Sequence, residues 1–231
     1  VTGIAIPVLP IKNQVSMKRI LFFSFILLFS LSVSSEGQGT DYAKFGIKAG
    51  DSHIPAGLNV GDRAPDFVAY DQAGKQVELK KLLETGPVVL FFYRGKWCPV
   101  CSRYLNDYQD SIKMIVDQGF NVVAVTPETI DNVEQTVKVH NITFTVLYDC
   151  QEQIMKDYDV MFTVTRAYQD LIQKKLNISI AENNGRDVAH LPVPATYIIN
   201  RDGIIVARQF NPDYRVRASV KWMLLNMGKA L

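Results

Sequence analysis

The stretch "VVLFFYRGKWCPVCSRYLNDYQD", residues 88–110, decides how this chain is read. It opens on an unbroken apolar and aromatic run, 88–93, the pattern of a β-strand covered on both faces. It continues into an amphipathic repeat. Cys101, Tyr104, Leu105, Tyr108, Ile112, Ile115 and Val116 recur at helical spacing, and Ser102, Arg103, Asn106, Asp107, Asp110, Lys113 and Asp117 take the opposite face. Between strand and helix lies Cys98-Pro99-Val100-Cys101. Proline suits the first helical position, where its missing N–H would have no partner anyway. That makes Cys98 the cap residue and Cys101 the third helical residue. The unpaired N–H groups of the first turn and the positive end of the helix dipole then face the Cys98 sulfur. A thiolate is stabilised there. Cys98 is therefore expected to ionise below the ordinary cysteine range and attack first, with Cys101, on the apolar stripe, as the resolving thiol.

Upstream, residues 67–70 and 76–79 flank a glycine-containing turn and read as a hairpin. Downstream, Gly119 closes the helix, 120–125 is a second buried strand, 129–140 a helix and 144–148 a strand. Asp149 is expected to cap a further helix with Glu152 at its third position. Residues 162–190 carry little pattern beyond a helix over 167–176. Residues 195–199 and 204–207 form a second hairpin around Asn200–Gly203, and 215–231 reads as a terminal amphipathic helix. The β-α-β-α-β order predicts right-handed crossovers. The fold class is α/β, with these strands in a parallel sheet and helices on both of its faces.

The 231 residues are 48% hydrophobic and 21% charged, a globular composition. Met17-Lys18-Arg19, the apolar run 20–31 and the small-residue exit 32–37 have the build of a secretory signal peptide, 17–34. The apolar run falls short of the roughly 20 residues that span a bilayer. Residues 1–16 precede the start at Met17 and read as an upstream over-extension of the frame, 35–57 as a Gly-rich linker or lead-in, and 58–231 as one domain. The expected location is exported, periplasmic or otherwise extracytoplasmic, with membrane contact only through a retained leader. Without residues 1–34 the formal charge moves from +2 to −1, because Lys12, Lys18 and Arg19 go and no acid does. No basic patch points to nucleic acid. Three cysteines are too few for a disulfide scaffold, and a loop as short as Cys-x-x-Cys adds little chain-entropy stabilisation. The pair reads as a redox centre.

Trp97-Cys98-x-x-Cys101 at a strand-to-helix junction resembles the active site of the thioredoxin fold. "LPVPATYIINRDG", 191–203, is similar to that fold's cis-proline segment. The resemblance implies that Pro194 is cis and packs on the cysteine pair, that Val193 contacts substrate, and that Trp97 and Pro99 shape the rim. A second resemblance overlays the first. "GLNVGDRAPDF" (57–67), "FFYRGKWCPVC" (91–101), "VVAVTPET" (122–129), 191–203 and "NPDYRVRAS" (211–219) are together similar to the peroxiredoxin-like branch of the alkyl hydroperoxide reductase / thiol-specific antioxidant superfamily. This implies a thioredoxin-like α/β fold, a central mixed β-sheet flanked by helices, and an antioxidant oxidoreductase. Hydroperoxides would be reduced through a Cys98/Cys101 dithiol–disulfide cycle with an external thioredoxin-like or other thiol donor and no prosthetic group.

In the family pattern Pro-x-x-x-Thr-x-x-Cys the last residue attacks peroxide. On this chain that is Cys101, with Cys98 in the Thr position and Arg94 in the Pro position, so the two resemblances name different attackers. The family's peroxide-polarising arginine falls on Pro194, and Arg94 is the candidate substitute charge. Glu128, at the carboxyl edge of the neighbouring strand, is a candidate for proton transfer, although a helix-start acid is the favoured reading. Two other functions fit the same residues: a thiol-disulfide reductase acting on protein disulfides, and a Cu(I) assembly protein using Cys98, Cys101 and His190. Cys150 reads as a small helix-opening residue, with a resolving role as the alternative. His53 and His140 read as surface groups. Asp213, Tyr214 and Arg217 lie in the matching tail, and the sequence attaches no chemistry to them.

Overall fold

The computed structural model describes residues 2–3, 42–48 and 53–231. The chain divides into units 1–39 and 40–231, and the elements below belong to the second. The signal peptide 17–34, most of the upstream stretch 1–16 and the rest of the lead-in lie outside the described residues. After a 3₁₀ turn at Tyr42–Phe45 come β1 (Val68–Tyr70), β2 (Gln76–Glu78), α1 (Leu79–Thr85), β3 (Val88–Phe92) and α2 (Pro99–Val116). Then follow β4 (Asn121–Thr126), α3 (Ile130–His140), β5 (Thr145–Tyr148), α4 (Gln153–Asp157), β6 (Met161–Thr163), α5 (Arg166–Leu176) and α6 (Ile180–Asn183). The chain finishes with β7 (His190–Pro192), β8 (Ala195–Ile199), β9 (Ile205–Phe210) and α7 (Val220–Met227). Among the described residues no helix is long and apolar enough to cross a membrane.

Five strands form one mixed sheet in the order β5-β4-β3-β8-β9. β3, β4 and β5 run parallel, while β8 is antiparallel to both β3 and β9. The unbroken apolar run of β3 follows from this position. Alternate residues point to opposite faces of a strand. Val89 and Phe91 enter a core with Leu105, Tyr108 and Ile115 of α2, Val133 of α3, Ile172 of α5 and Met223 of α7. Val88, Leu90 and Phe92 enter a second core with Leu79 of α1 and Ile154 and Met155 of α4. A central strand with two covered faces has no polar positions to spare.

The topology delivers five segments to one edge of the sheet. The carboxyl ends of β3, β4 and β5 are there because these strands are parallel. The start of β8 is there because Phe91 pairs with Thr196. The end of β9 returns there, Ala195 facing Phe210.

The structure departs from the sequence reading in four places. The described part of the supposed linker is folded onto the domain: Ile47 bridges Val164, and the Thr165 N–H donates to the Gly46 carbonyl at 2.9 Å. The helix expected from residue 149 begins at Gln153, and Asp149 instead accepts the Met155 N–H at 2.8 Å. The terminal helix begins at Val220 rather than 215, because Asp213 and Arg215 pair in a turn and Ser219 caps the helix through the Trp222 N–H at 3.1 Å. The Val193–Pro194 bond is trans, since no described peptide bond is cis. Extended β7 there runs directly into β8, with the Val193 N–H tied to the Val160 carbonyl at 2.7 Å.

Candidate active site

Cys98 is the N-cap of α2 with Pro99 in the first turn, as the sequence requires. Its sulfur, however, makes no capping hydrogen bond. Both sulfurs are buried, Cys98 at 1% exposure and Cys101 at 0%. Each faces a different guanidinium. Arg94 Nη2 approaches Cys98 Sγ at 3.5 Å, and Arg217 Nη2 approaches Cys101 Sγ at 3.2 Å. The Arg94 side chain is buried in an aromatic box, 3.7 Å from the Tyr214 ring centroid, 5.0 Å from that of Trp97 and 5.6 Å from that of Tyr168. Its Nη1 donates to the Tyr168 hydroxyl at 2.8 Å. Arg217 also donates through Nε to the Tyr214 carbonyl at 2.9 Å and through Nη1 to the Phe92 carbonyl at 3.4 Å. Neither guanidinium is paired with a carboxylate among the described residues.

These contacts reverse the expected order of ionisation. Donation of the Cys98 proton to the Cys101 sulfur pushes the Cys98 thiol up, and burial adds to this against the pull of Arg94. Burial also opposes ionisation of Cys101. It is outweighed there by the hydrogen bond from Cys98 and the charges of Arg217 and Arg94, which hold Cys101 well below the ordinary thiol range. The two titrate as a pair, with the first negative charge on Cys101. The helix-cap argument for Cys98 has no hydrogen bond behind it, since its sulfur caps no N–H, and each sulfur faces a guanidinium, Cys98 at 3.5 Å and Cys101 at 3.2 Å.

Glu128 is completely buried beside this pair, before α3 rather than in its first turn. Its two carboxylate oxygens accept the Lys96 N–H, each at 2.9 Å, and Oε1 accepts Asn183 Nδ2 at 2.8 Å. Burial nevertheless raises its pKa to about 7, against those two donors. Gly95 makes the approach feasible: it has φ +145°, and a Cβ there would lie 2.6 Å from Trp97 Nε1 and 2.8 Å from Glu128 Cδ. Trp97 separates two cavities. One, of about 280 Å³, is lined by Arg94, Cys98, Pro99, Tyr168 and Tyr214, with Lys44 and Lys175 also on its walls. The other, of about 310 Å³, holds Lys96, Gln135 and His140. Arg94 Nε and Trp97 Nε1 are buried donors with no acceptor among the described residues.

Other expected site residues lie elsewhere. Val193 is buried with the core, and neither it nor Pro194 lines the cavity that holds Cys98. His190 Nδ1 is held by Glu152 Oε1 at 2.9 Å, and the described residues contain no cluster of three His, Cys, Asp or Glu side chains fit to hold a metal. Cys150 is exposed in the turn before α4. His140 has a partner the sequence did not reveal, Asn106 Oδ1 at 2.7 Å.

Residues 60–208, well over half of the chain, match the AhpC/TSA family. The chain belongs to that family. A chloroplastic peroxiredoxin Q of Populus jackii is 28% identical over 143 residues, 61% of this chain and 61% of that protein. The thiol-disulfide oxidoreductase ResA of Bacillus cereus is 32% identical over 96 residues, 40% of this chain and 53% of the relative. The chain thus spans between half and two thirds of the length of these curated relatives. Among solved structures, a peroxiredoxin-like protein from Aquifex aeolicus superposes with a TM-score of 0.58 at 17% identity, covering 77% of this chain and 91% of that one. The fold is peroxiredoxin- and thioredoxin-like.

The AhpC/TSA match ends at residue 208, before Tyr214 and Arg217. Yet those residues supply the aromatic lid on Arg94 and the cation on Cys101. Tyr168, on α5, was also missed. The only sequence signal for Tyr214 and Arg217 was their place in the tail stretch 211–219. Nothing local connects that stretch to a helix more than a hundred residues upstream.

Proposed function

We propose that this protein is a thiol oxidoreductase that reduces hydroperoxides, with Cys101 as the attacking sulfur and Cys98 as the resolving thiol. The observation that carries this reading is the fully buried Cys101 sulfur with the Arg217 guanidinium 3.2 Å from it. The thiolate, not the thiol, is the nucleophile. Cys98 lines the cavity but holds its proton, so charge outweighs access in choosing the attacker.

Cys101 S⁻ attacks the terminal peroxide oxygen, the O–O bond breaks, and the alkoxide leaves with a proton as an alcohol. Cys101 is oxidised to the sulfenic acid. The Cys98 sulfur then attacks the Cys101 sulfur, the S–S bond forms, and the hydroxyl leaves with the Cys98 proton as water. An external dithiol reduces the disulfide and closes the cycle. Glu128, with a pKa near the working pH, is suited to supply the proton for the leaving alkoxide. The near-complete burial of both sulfurs favours a small hydroperoxide over a protein disulfide, which needs an exposed attacking sulfur. The leader 17–34 supports an exported location, where the cycle would draw on an extracytoplasmic reductant.

Single-turnover reaction of the reduced protein with hydrogen peroxide tests the assignment. Cys98→Ser is expected to keep one rapid turnover and accumulate a sulfenic acid that dimedone traps at residue 101, while Cys101→Ser reacts no faster than a free thiol. Retention of the fast phase in Cys101→Ser would make Cys98 the attacker. Faster turnover of insulin disulfides than of peroxide would replace the peroxidase with a disulfide reductase.

A further inference from the structure

We propose that Arg217, carried in by the turn between β9 and α7, is a catalytic residue that selects Cys101 rather than Cys98 as the attacking sulfur. The inference deepens the peroxidase reading and rests on it only for the name of the reaction.

Two cations face two sulfurs, one each. Arg94 comes from the loop after β3 and addresses Cys98 at 3.5 Å; Arg217 addresses Cys101 at 3.2 Å. Arg94 is bound to its own helix junction by sequence, four residues before Cys98. Arg217 is placed entirely by tertiary structure. The Asp213–Arg215 ion pair, with Nη2 to Oδ2 at 2.6 Å, closes a turn that the Val216 N–H completes by donating to the Asp213 carbonyl at 2.9 Å. Gln209 Nε2 ties the Val216 carbonyl back to β9 at 3.0 Å. Arg217 then spans the Tyr214 carbonyl, the Phe92 carbonyl and the Cys101 sulfur with three different nitrogens. A guanidinium can do this because its donors are fixed in one plane. The same turn lays the Tyr214 ring over Arg94 at 3.7 Å. One short segment therefore touches both cations and reaches past Cys98 to the deeper sulfur.

The other groups facing Cys101 do not favour it in this way. Cys98, on the same helix, supplies a proton that either sulfur can hold. Tyr93, at the end of β3, and Glu128, after β4, oppose a second negative charge nearby. Arg94 acts on both sulfurs. Among the described residues, removing Arg217 leaves the Arg94 guanidinium, whose contact is with Cys98, as the one beside the sulfur pair.

The test needs no substrate, so it stands or falls separately from the peroxidase reading. Reduced full-length protein labelled with ¹³C at the cysteine Cβ atoms is titrated by NMR, which follows the sulfurs individually. In the wild type Cys101 is expected to titrate at the lower pH. Arg217→Gln keeps a donor for the Tyr214 carbonyl while removing the charge. It is expected to raise the Cys101 midpoint by about 1–3 pH units, the range for losing an adjacent opposite charge, and to leave Cys98 as the more acidic thiol. Arg217→Lys restores a cation and is expected to return Cys101 to the lower position. The proposal is overturned if Cys98 is the more acidic thiol in the wild type, or if Arg217→Gln leaves the Cys101 midpoint within a few tenths of a unit. It is also overturned if Arg217→Lys shifts the midpoint as far as Arg217→Gln, since that outcome assigns Arg217 a merely structural role.

Discussion

Cys98 and Cys101 differ by three positions in sequence and by their partners in space, and the partners decide their chemistry. Because Cys101 is held below the ordinary thiol range, its second-order rate with hydrogen peroxide is expected to rise less between pH 7 and 9 than that of an ordinary thiol. An ordinary thiol, with a pKa of about 8.5, would gain more than tenfold over that interval. Stopped-flow rates across pH check this. Glu128 makes an opposite kind of prediction. Its folded pKa, about 7, lies above the ordinary value, so its contribution to stability is present in full at acid pH and is lost as pH rises through 7. Relative to the wild type, Glu128→Gln is expected to gain up to about 3 kcal/mol between pH 4 and pH 8. Urea midpoints at the two pH values measure it, and equal changes in both proteins would remove Glu128 as the titrating group. The dithiol, Arg94 and the acid at residue 128 were all legible in the sequence because each sits beside a strand end or helix start that local pattern reveals.

Elements with a full amphipathic stripe were read to within a residue or so. The helix expected over 129–140 is α3, Ile130–His140, and that expected over 167–176 is α5, Arg166–Leu176. Both end on asparagine in the left-handed region, Asn141 at φ 49° and Asn177 at φ 54°, where a side chain that tolerates that conformation is needed. The terminal helix is shorter than its sequence pattern suggests, starting at Val220. Residues 215–219 continue its alternation of polar and apolar side chains, but their polar groups are committed elsewhere, to Asp213 and to Cys101. Ser219 marks the true start. Ser219→Ala removes the bond to the Trp222 N–H and is expected to cost about 1 kcal/mol. Because the cap adjoins the turn that carries Arg217, the same variant is also expected to raise the midpoint of thiolate absorbance near 240 nm. A loss of stability with no change in that midpoint would separate the cap from the site.

Across the whole molecule, β3 holds two cores together and ends at the cysteine pair. Leu90 is fully buried in the core formed with α1 and α4, on the face away from α2. Leu90→Ala is expected to destabilise the protein by about 2–5 kcal/mol, the range for a buried leucine leaving a cavity. The reduced site should keep its low thiol pKa while folded, because the deletion lies across the sheet from α2. Chemical denaturation with a parallel thiolate titration gives both numbers. A cavity of about 660 Å³ near the sheet's other edge, lined by Arg63, Leu79 and Gly203 among others, has no cysteine or methionine in its lining. Size alone therefore does not mark the reactive site. The segment 162–190, which carried little sequence pattern, proves to be short elements stitched by distant partners. β6 pairs with β7 across α5 and α6, with Phe162 opposite Leu191. Three-residue strands are too brief for periodicity to register.

By itself, the sequence determined the α/β class, the central strand, the helix that follows it and the position of a dithiol at their junction. Those are consequences of near-neighbour rules: a strand with both faces buried has no polar alternation, a helix repeats every few residues, and proline opens it. It also placed Glu128 and Arg94 at the correct edge of the sheet. Only the tertiary structure decided which guanidinium faces which sulfur. Electrostatic attraction depends on distance through space, and Arg217 lies 116 residues from Cys101 along the chain yet 3.2 Å from its sulfur. That distance exists because β9 runs back to the edge where β3 ends, and because the turn after it folds inward instead of beginning a helix.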